Sequence, residues 1–492
     1  MRPRLALAAL APVVFVLAAA CSTPAATPAA ADVDAVVARV MSGLRPGIVV
    51  KGAAPITYPL AERMAHYKVP GVSIAVADSG RIVWARSFGV KEAGTTDSVT
   101  PTTIFQAASI SKPVAATGMM RLVQEGKLSL DAPVNDYLTS WKLPDNRFTA
   151  TEKVTLRRIA SHHAGLTVHG FPGYAVTDSI PTVVQVLDGA KPANTKAVRV
   201  DTTPGAIVRY SGGGTTMEQL VMTDVSGEPF PALMKRLVLD PMGMTESGYD
   251  QPLPPARRGQ EAAGHRSDGT MVEGRWHVYP EMAPAGLWTT PTDLLKWALE
   301  IAAARAGTSS TVLSQQSATE MLTPQNDGYG VGPAVGGTGP GERFGHGGAN
   351  EGYRAQLTYF PTLGKGAAVM TNSDAGSALA QEILLALAAE YQWAEFAPRE
   401  VTTIAMDSVA LDAFVGRYTM TSPMKGEVTV AREGSTLYVH EPQFIPRTAV
   451  VFLEQHKALS LESGMELTFG TNASGRVDRV MLGGMTLRRA GK

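Results

Sequence analysis

A single cysteine, Cys21, stands in 492 residues, so no disulfide can form within the chain. Charge is sparse and balanced: 44 basic against 44 acidic side chains, net +0. That balance gives no electrostatic case for nucleic acid. The glycine-rich run from Gly328 to Gly348 holds no G-x-G-x-x-G and no phosphate-loop pattern, which leaves nucleotide binding without support. No G-x-S-x-G occurs, which excludes the α/β-hydrolase elbow as the setting for a nucleophilic serine. No spacing resembles a zinc site, and His162, His163 and His169 read as structural. Neither metal nor cofactor is therefore expected.

What is present begins with an export signal. Arg2 and Arg4 precede an apolar stretch, Leu5 to Ala20. It is interrupted by Pro12 and short of the roughly 20 residues that a membrane-spanning helix needs. Cys21 follows directly, as at a bacterial lipoprotein site, where the thiol would be acylated. Leu17 lies one place earlier than the usual leucine of such sites, and Ala18 takes its position. The expectation is a signal peptide over 1–20, a tether over 21–34, and a periplasmic or membrane-anchored envelope protein.

Beyond the tether, Gly71 to Val90 reads as two strands around an Asp78-Ser79-Gly80 turn. A helical pattern runs from Ser109 to about Glu125, with Gly126 as its stop. The middle of the chain mixes short helices and loops. One clear helix has Thr290 as N-cap, Pro291 in its first turn and Gly307 at its end. Tyr353 to Asn372 reads as a second hairpin, followed by an amphipathic helix. Strands at both ends with helices between predict one α/β domain over 35–398, its sheet built from both chain ends. From 399 to 492, five short strand patterns predict a small antiparallel barrel or sandwich.

Ser109-Ile110-Ser111-Lys112 carries the chemistry. Residues three apart on a helix share a face. A lysine in a first turn meets the positive end of the helix dipole, and burial disfavours its charge further. A neutral amine there can take a proton from Ser109, whose own N–H can face a developing oxyanion. Spacing alone leaves this undecided, because Ser422-Pro423-Met424-Lys425 repeats it in a turn before a strand, where it reads as loop surface.

Two further segments add to the case for Ser109. Tyr210 in "IVRYSGGG" and His346-Gly347-Gly348 in "FGHGGANEGY" follow it in order. Together the three resemble the active-site motifs of the class C β-lactamase-like serine hydrolases, which include β-lactamases, D,D-peptidases, D-aminopeptidases and esterases. "GKLSLDAPVNDYL", "VTLRRIASHHAGL" and "GLWTTPTDL" extend the resemblance over most of 55–395. The tail, with "LDAFVGRYTM", is similar to the lipocalin-like domain attached to such hydrolases. The resemblance implies an antiparallel sheet flanked by helices, a mostly helical subdomain and a C-terminal β-barrel. It also implies a covalent acyl-enzyme: Ser109 as nucleophile, Lys112 and Tyr210 handling protons in an undecided division, and backbone N–H groups of Ser109 and Ala349 as the oxyanion hole. His346, Gly347 and Gly348 would lie along the substrate on an edge strand.

Gly212 departs from the family's asparagine, which implies weaker recognition of an acylamino group and, as glycine, more backbone freedom beside Tyr210. With His346 where the family often has lysine, the expected substrates are esters or D-amino-acid and peptide amides, with β-lactams turned over weakly. A non-catalytic binder of penicillin or peptidoglycan, or a scaffold, is the alternative. Oligomeric state is not legible.

Overall fold

The computed structural model describes residues 30–393, 396–420, 426–441, 445–482 and 484–490. Cys21, the export signal and the second Ser-x-x-Lys, 422–425, lie outside the described residues.

Among the helices of the first part of the chain are α1 (Ala30–Ser42), α2 (Leu60–Tyr67), α3 (Ser111–Gln124), α4 (Gly212–Ser226), α5 (Pro291–Arg305) and α6 (Gly376–Tyr391). Six strands form one sheet: β1 (Gly71–Asp78), β2 (Arg81–Gly89), β3 (Ala334–Gly336), β4 (Arg343–Asn350), β5 (Tyr353–Phe360) and β6 (Lys365–Thr371). Their order is β2-β1-β6-β5-β4-β3, antiparallel throughout. The two chain ends thus meet at the β1–β6 pair, as the sequence predicts. Ser79 and Gly80, at φ 52° and 72°, make the two-residue turn between β1 and β2.

Both faces of the sheet are covered, so its central strands are apolar on both sides. Along β1, Val72, Ile74 and Val76 pack with Leu379, Ile383 and Leu387 of α6. The alternate residues Ala75 and Ala77 belong to the opposite core, with Trp297 and Ile301 of α5. That second core continues into a helical region containing α3 and α4, and the site lies where this region meets the open end of β4. Thr290 caps α5 by accepting from Asp293 N at 3.2 Å, as expected.

The C-terminal part exceeds the five strands read from the sequence. Eight strands, β7 (Gly416–Met420), β8 (Gly426–Glu433), β9 (Thr436–Glu441), β10 (Ile445–Glu454), β11 (Lys457–Ser460), β12 (Glu466–Thr471), β13 (Val477–Leu482) and β14 (Met485–Arg489), follow in order. Tyr418 pairs with Arg489, which closes the barrel. Phe414 fills it, 4.9 Å from Phe452 and 4.7 Å from Phe469 between ring centres. The unforeseen strands, β7, β11 and β14, are short, and only the β7–β14 pair depends on closure.

The barrel docks on the sheet domain. Ile48–Val50 pairs in parallel with Arg399–Val401, and Ile48 packs on Val401 and Leu459. Buried Arg63 of α2 bonds Glu382 of α6 at 2.8 Å and reaches Glu462 of the barrel at 2.9 Å.

Candidate active site

Ser109 stands on a 3₁₀ turn, Ala108–Ile110, and not on the α-helix itself, which begins at Ser111. Lys112 is therefore the residue in the first α-helical turn. The residue before the serine, Ala108, has φ 49°, a left-handed conformation that costs an alanine about 1–2 kcal/mol. Its surroundings impose it. Ala107 N donates to Leu287 O at 2.8 Å, Leu287 N to Ser111 Oγ at 3.0 Å, and the Tyr249 hydroxyl to Ser111 O at 2.7 Å. Within 103–120 every residue is buried except Ser109. The turn thus presents one hydroxyl.

Lys112 Nζ lies 2.9 Å from Ser109 Oγ and 3.0 Å from the Pro284 carbonyl. Its side chain is buried in the core beneath the serine. Burial pushes its pKa down to about 7, against the upward pull of Glu218. At neutral pH a large fraction is therefore free amine.

Tyr210 ends the loop before α4, whose N-cap Ser211 accepts from Gly214 N at 3.0 Å. The tyrosine ring lies 4.8 Å from Lys112 Nζ. Burial raises the phenol's pKa, and its hydrogen bond with the Ser109 hydroxyl only partly offsets that. The phenol stays protonated at neutral pH. One hydroxyl, one amine and one phenol are thus brought together, as the motif order predicts.

His346 on β4 is buried near them, 6.1 Å from the Tyr210 ring. Burial, and then Lys112, hold its pKa down at about 4, so the imidazole is neutral. β4 is only partly an edge. β3 pairs with Arg343 to Gly345 and leaves His346 onward open. The two-residue hairpin closes on Asn350 and Tyr353. Antiparallel alternation then turns the N–H and C=O groups of Gly347 and Ala349 towards the open side. Gly348 is fixed by crowding: a Cβ there would lie 2.2 Å from the Ala107 carbonyl. This contact holds β4 against the serine turn.

Gly212 overturns one expectation. Its φ is not left-handed, so backbone freedom is not its role. It is the first residue of α4, and a Cβ would meet Phe171 Cε2 at 2.9 Å and His169 O at 3.2 Å. Phe171 occupies the space beside it. The glycine is required by close approach of the 166–171 loop, which a single segment of sequence does not disclose.

The sequence also understates His162. Its ring packs 4.2 Å from that of Tyr210, its carbonyl accepts from Arg209 N at 2.8 Å, and its Nδ1 accepts from Ser211 N at 3.3 Å. It clamps Tyr210 from both flanks. Burial holds it neutral. Tyr329, 4.6 Å from His162, and His169, 4.9 Å from Tyr210, complete an aromatic collar. Tyr329 and Phe171 carry no sequence signal. His163 instead meets Asn326 at 3.2 Å. Among the described residues no three His, Cys, Asp or Glu side chains gather as metal ligands. A larger apolar groove, about 860 Å³, lies between α1, α2 and the end of β2, and none of the motif residues lines it.

The Beta-lactamase family model matches residues 60–390, and the chain belongs to that family. It is 28% identical to penicillin-binding protein 4 of Amycolatopsis lactamdurans over 67% of this chain and 87% of that one. It is 25% identical to esterase EstB of Burkholderia gladioli over 60% and 79%. The octameric penicillin-binding protein homologue from Pyrococcus abyssi shares the fold, with a TM-score of 0.59 and 24% identity over 87% and 98%.

Proposed function

We propose that the protein is an exported serine hydrolase that acts on esters, and on D-amino-acid or peptide amides, through an acyl-enzyme on Ser109. The observation that carries this reading is the Lys112 amine 2.9 Å from the Ser109 hydroxyl, with the Tyr210 phenol on the same oxygen. Lys112 as free amine takes the serine proton while Oγ attacks the carbonyl carbon. The oxyanion forms between the N–H groups of Ser109 and Ala349. As the tetrahedral adduct collapses, a proton reaches the leaving alcohol or amine from the Lys112 ammonium, directly or through Tyr210. Water then attacks the acyl-enzyme, and the same groups return the proton to Ser109.

The pKa directions favour Lys112 over Tyr210 as the first base, because the amine is lowered towards neutrality and the phenol is raised away from it. Two features favour small acyl groups without an acylamino arm. Phe171 stands beside Gly212, where the family's asparagine would project, and neutral His346 supplies no charge for a substrate carboxylate. Esters are therefore placed first and β-lactams last. Attachment to a bacterial envelope through Cys21 is proposed on the signal pattern alone.

The test is fluorophosphonate labelling with peptide mapping, alongside turnover of p-nitrophenyl esters, a D-amino-acid anilide and a cephalosporin. Label on Ser109, and ester turnover lost in Ser109→Ala and Lys112→Ala, is expected. Penicillin binding without turnover of any substrate would favour the binder instead.

A further inference from the structure

A smaller cavity, about 300 Å³, lies where the barrel meets the sheet domain, at the lower end of the sizes that small molecules occupy. The segment 46–58, α2 and α6 form one side. Thr448 of β10, with Leu461 and Glu462 after β11, forms the other. None of the motif residues lines it. Its apolar wall is Ile48, Val50, Ile56 and Leu461, and its charged wall is Arg63, Glu382 and Glu462. The Arg63 and Glu382 side chains are only 9% and 6% exposed. Charge so deeply buried is costly unless its atoms are matched.

The matching stops short at two atoms. Arg63 Nε donates to Glu382 Oε2 at 2.9 Å. Its Nη2 reaches Glu382 Oε1 at 2.8 Å, the Tyr67 hydroxyl at 2.6 Å and Glu462 Oε1 at 2.9 Å. The Tyr58 and Tyr67 rings, each centred 4.6 Å from the guanidinium carbon, fix the group in place. Nη1 has no hydrogen-bond partner among the described residues. Glu462 Oε1 takes both Arg63 and His66, the latter at 2.6 Å, and Oε2 takes no hydrogen bond among the described residues. Two carboxylates also meet one guanidinium, so with His66 neutral the group is one positive charge short. The cavity therefore combines a guanidinium donor, a carboxylate oxygen in want of a cation and an apolar wall.

We propose that this cavity binds a small amino acid with an apolar side chain. Its carboxylate accepts from Arg63 Nη1, its ammonium donates to Glu462 Oε2, and its side chain lies against Ile48, Val50, Ile56 and Leu461. A carboxylate alone would add negative charge to a group already short of positive charge. An ammonium alone would leave the guanidinium end unmatched. The zwitterion serves both. Arg63 belongs to the sheet domain and Glu462 to the barrel, so the ligand bridges the two and favours their docked state. Amino acids are also what the amide branch of the reaction at Ser109 releases, but the binding does not depend on that reaction.

The test is isothermal titration calorimetry of the full-length protein with D-leucine and L-leucine. Beside them stand 4-methylpentanoate, which lacks the ammonium, and leucinamide, which lacks the carboxylate. Leucine of at least one hand is expected to bind, and each analogue at least about tenfold more weakly. Ile56 is 53% exposed, so Ile56→Trp fills the cavity without opening a core. It is expected to weaken leucine binding at least about tenfold, as is Glu462→Gln. At ten times its Kd, leucine is expected to slow proteolysis near 396–407 roughly tenfold. No binding of either leucine, or an analogue that binds as tightly, overturns the proposal. Binding unchanged in Ile56→Trp overturns it too, because the amino acid then sits elsewhere. If Glu462→Gln loosens the barrel by itself, Ile56→Trp decides. Binding that leaves proteolysis unchanged overturns the bridging of the two parts. Leucine binding in a protein that hydrolyses nothing would remove the hydrolase reading and leave this site intact.

Discussion

At the residue scale the site is an arrangement of protonation states set mainly by burial. Lys112 is lowered, Tyr210 is raised, and His162 and His346 are lowered. In the proposed mechanism the amine acts as base only when free, so activity is expected above its pKa and lost below it. The kcat/KM of ester hydrolysis is thus expected to fall about tenfold per unit as pH drops below about 7. A pH profile with its acid limb near the ordinary carboxylate range would contradict Lys112 as the base. Tyr210→Phe keeps the ring that His162 clamps and removes only the hydroxyl. It is expected to lower kcat by about 10²–10⁴ with KM little changed, read from steady-state kinetics.

At the element scale the site depends on three backbones meeting: the strained turn at Ala108, the open half of β4 and the start of α4. Gly348→Ala sets a methyl against the Ala107 carbonyl, a backbone atom with nowhere to go. A stability loss of about 1–3 kcal/mol is expected in urea unfolding, together with loss of ester turnover. Gly212→Asn restores the family's side chain but drives it into Phe171. Alone it is expected to reduce both stability and turnover. Combined with Phe171→Ala, stability recovers and acylamino substrates gain relative to simple esters. If the two substitutions prove additive, Phe171 does not occupy that space. These contacts explain what was legible. Ser109, Lys112, Tyr210 and His346 stand in local motifs, each short enough to read along the chain. Phe171 and Tyr329 reach the site only through neighbours far off in sequence, and no periodicity marks them.

At the scale of the whole molecule, the barrel is held to the sheet domain partly by charge. Burial pushes Glu462 up, but Arg63 and His66 pull its pKa below the ordinary value. A carboxyl lowered in the folded state adds stability above its unfolded pKa and loses it as pH falls through the folded one. The barrel is therefore expected to loosen in acid, seen as faster proteolysis near 396–407, and Glu462→Gln should remove most of that pH dependence. Arg63→Ala is a stronger blow, because it strands Glu382 without its cation inside the core. A loss of about 3–5 kcal/mol in the melting of the sheet domain is expected.

The first hairpin, the helix that follows Ser109, the closing of the sheet from both chain ends and the candidate motif residues were legible in the sequence alone. Hydrophobic period, turn residues and short spacings are local quantities. The left-handed Ala108, the crowding that demands Gly212 and Gly348, the closure of eight strands into a barrel and the protonation of each buried group were decided only by tertiary structure. Each of these depends on which distant atoms approach and how far water is excluded, and neither is written in any one stretch of the chain.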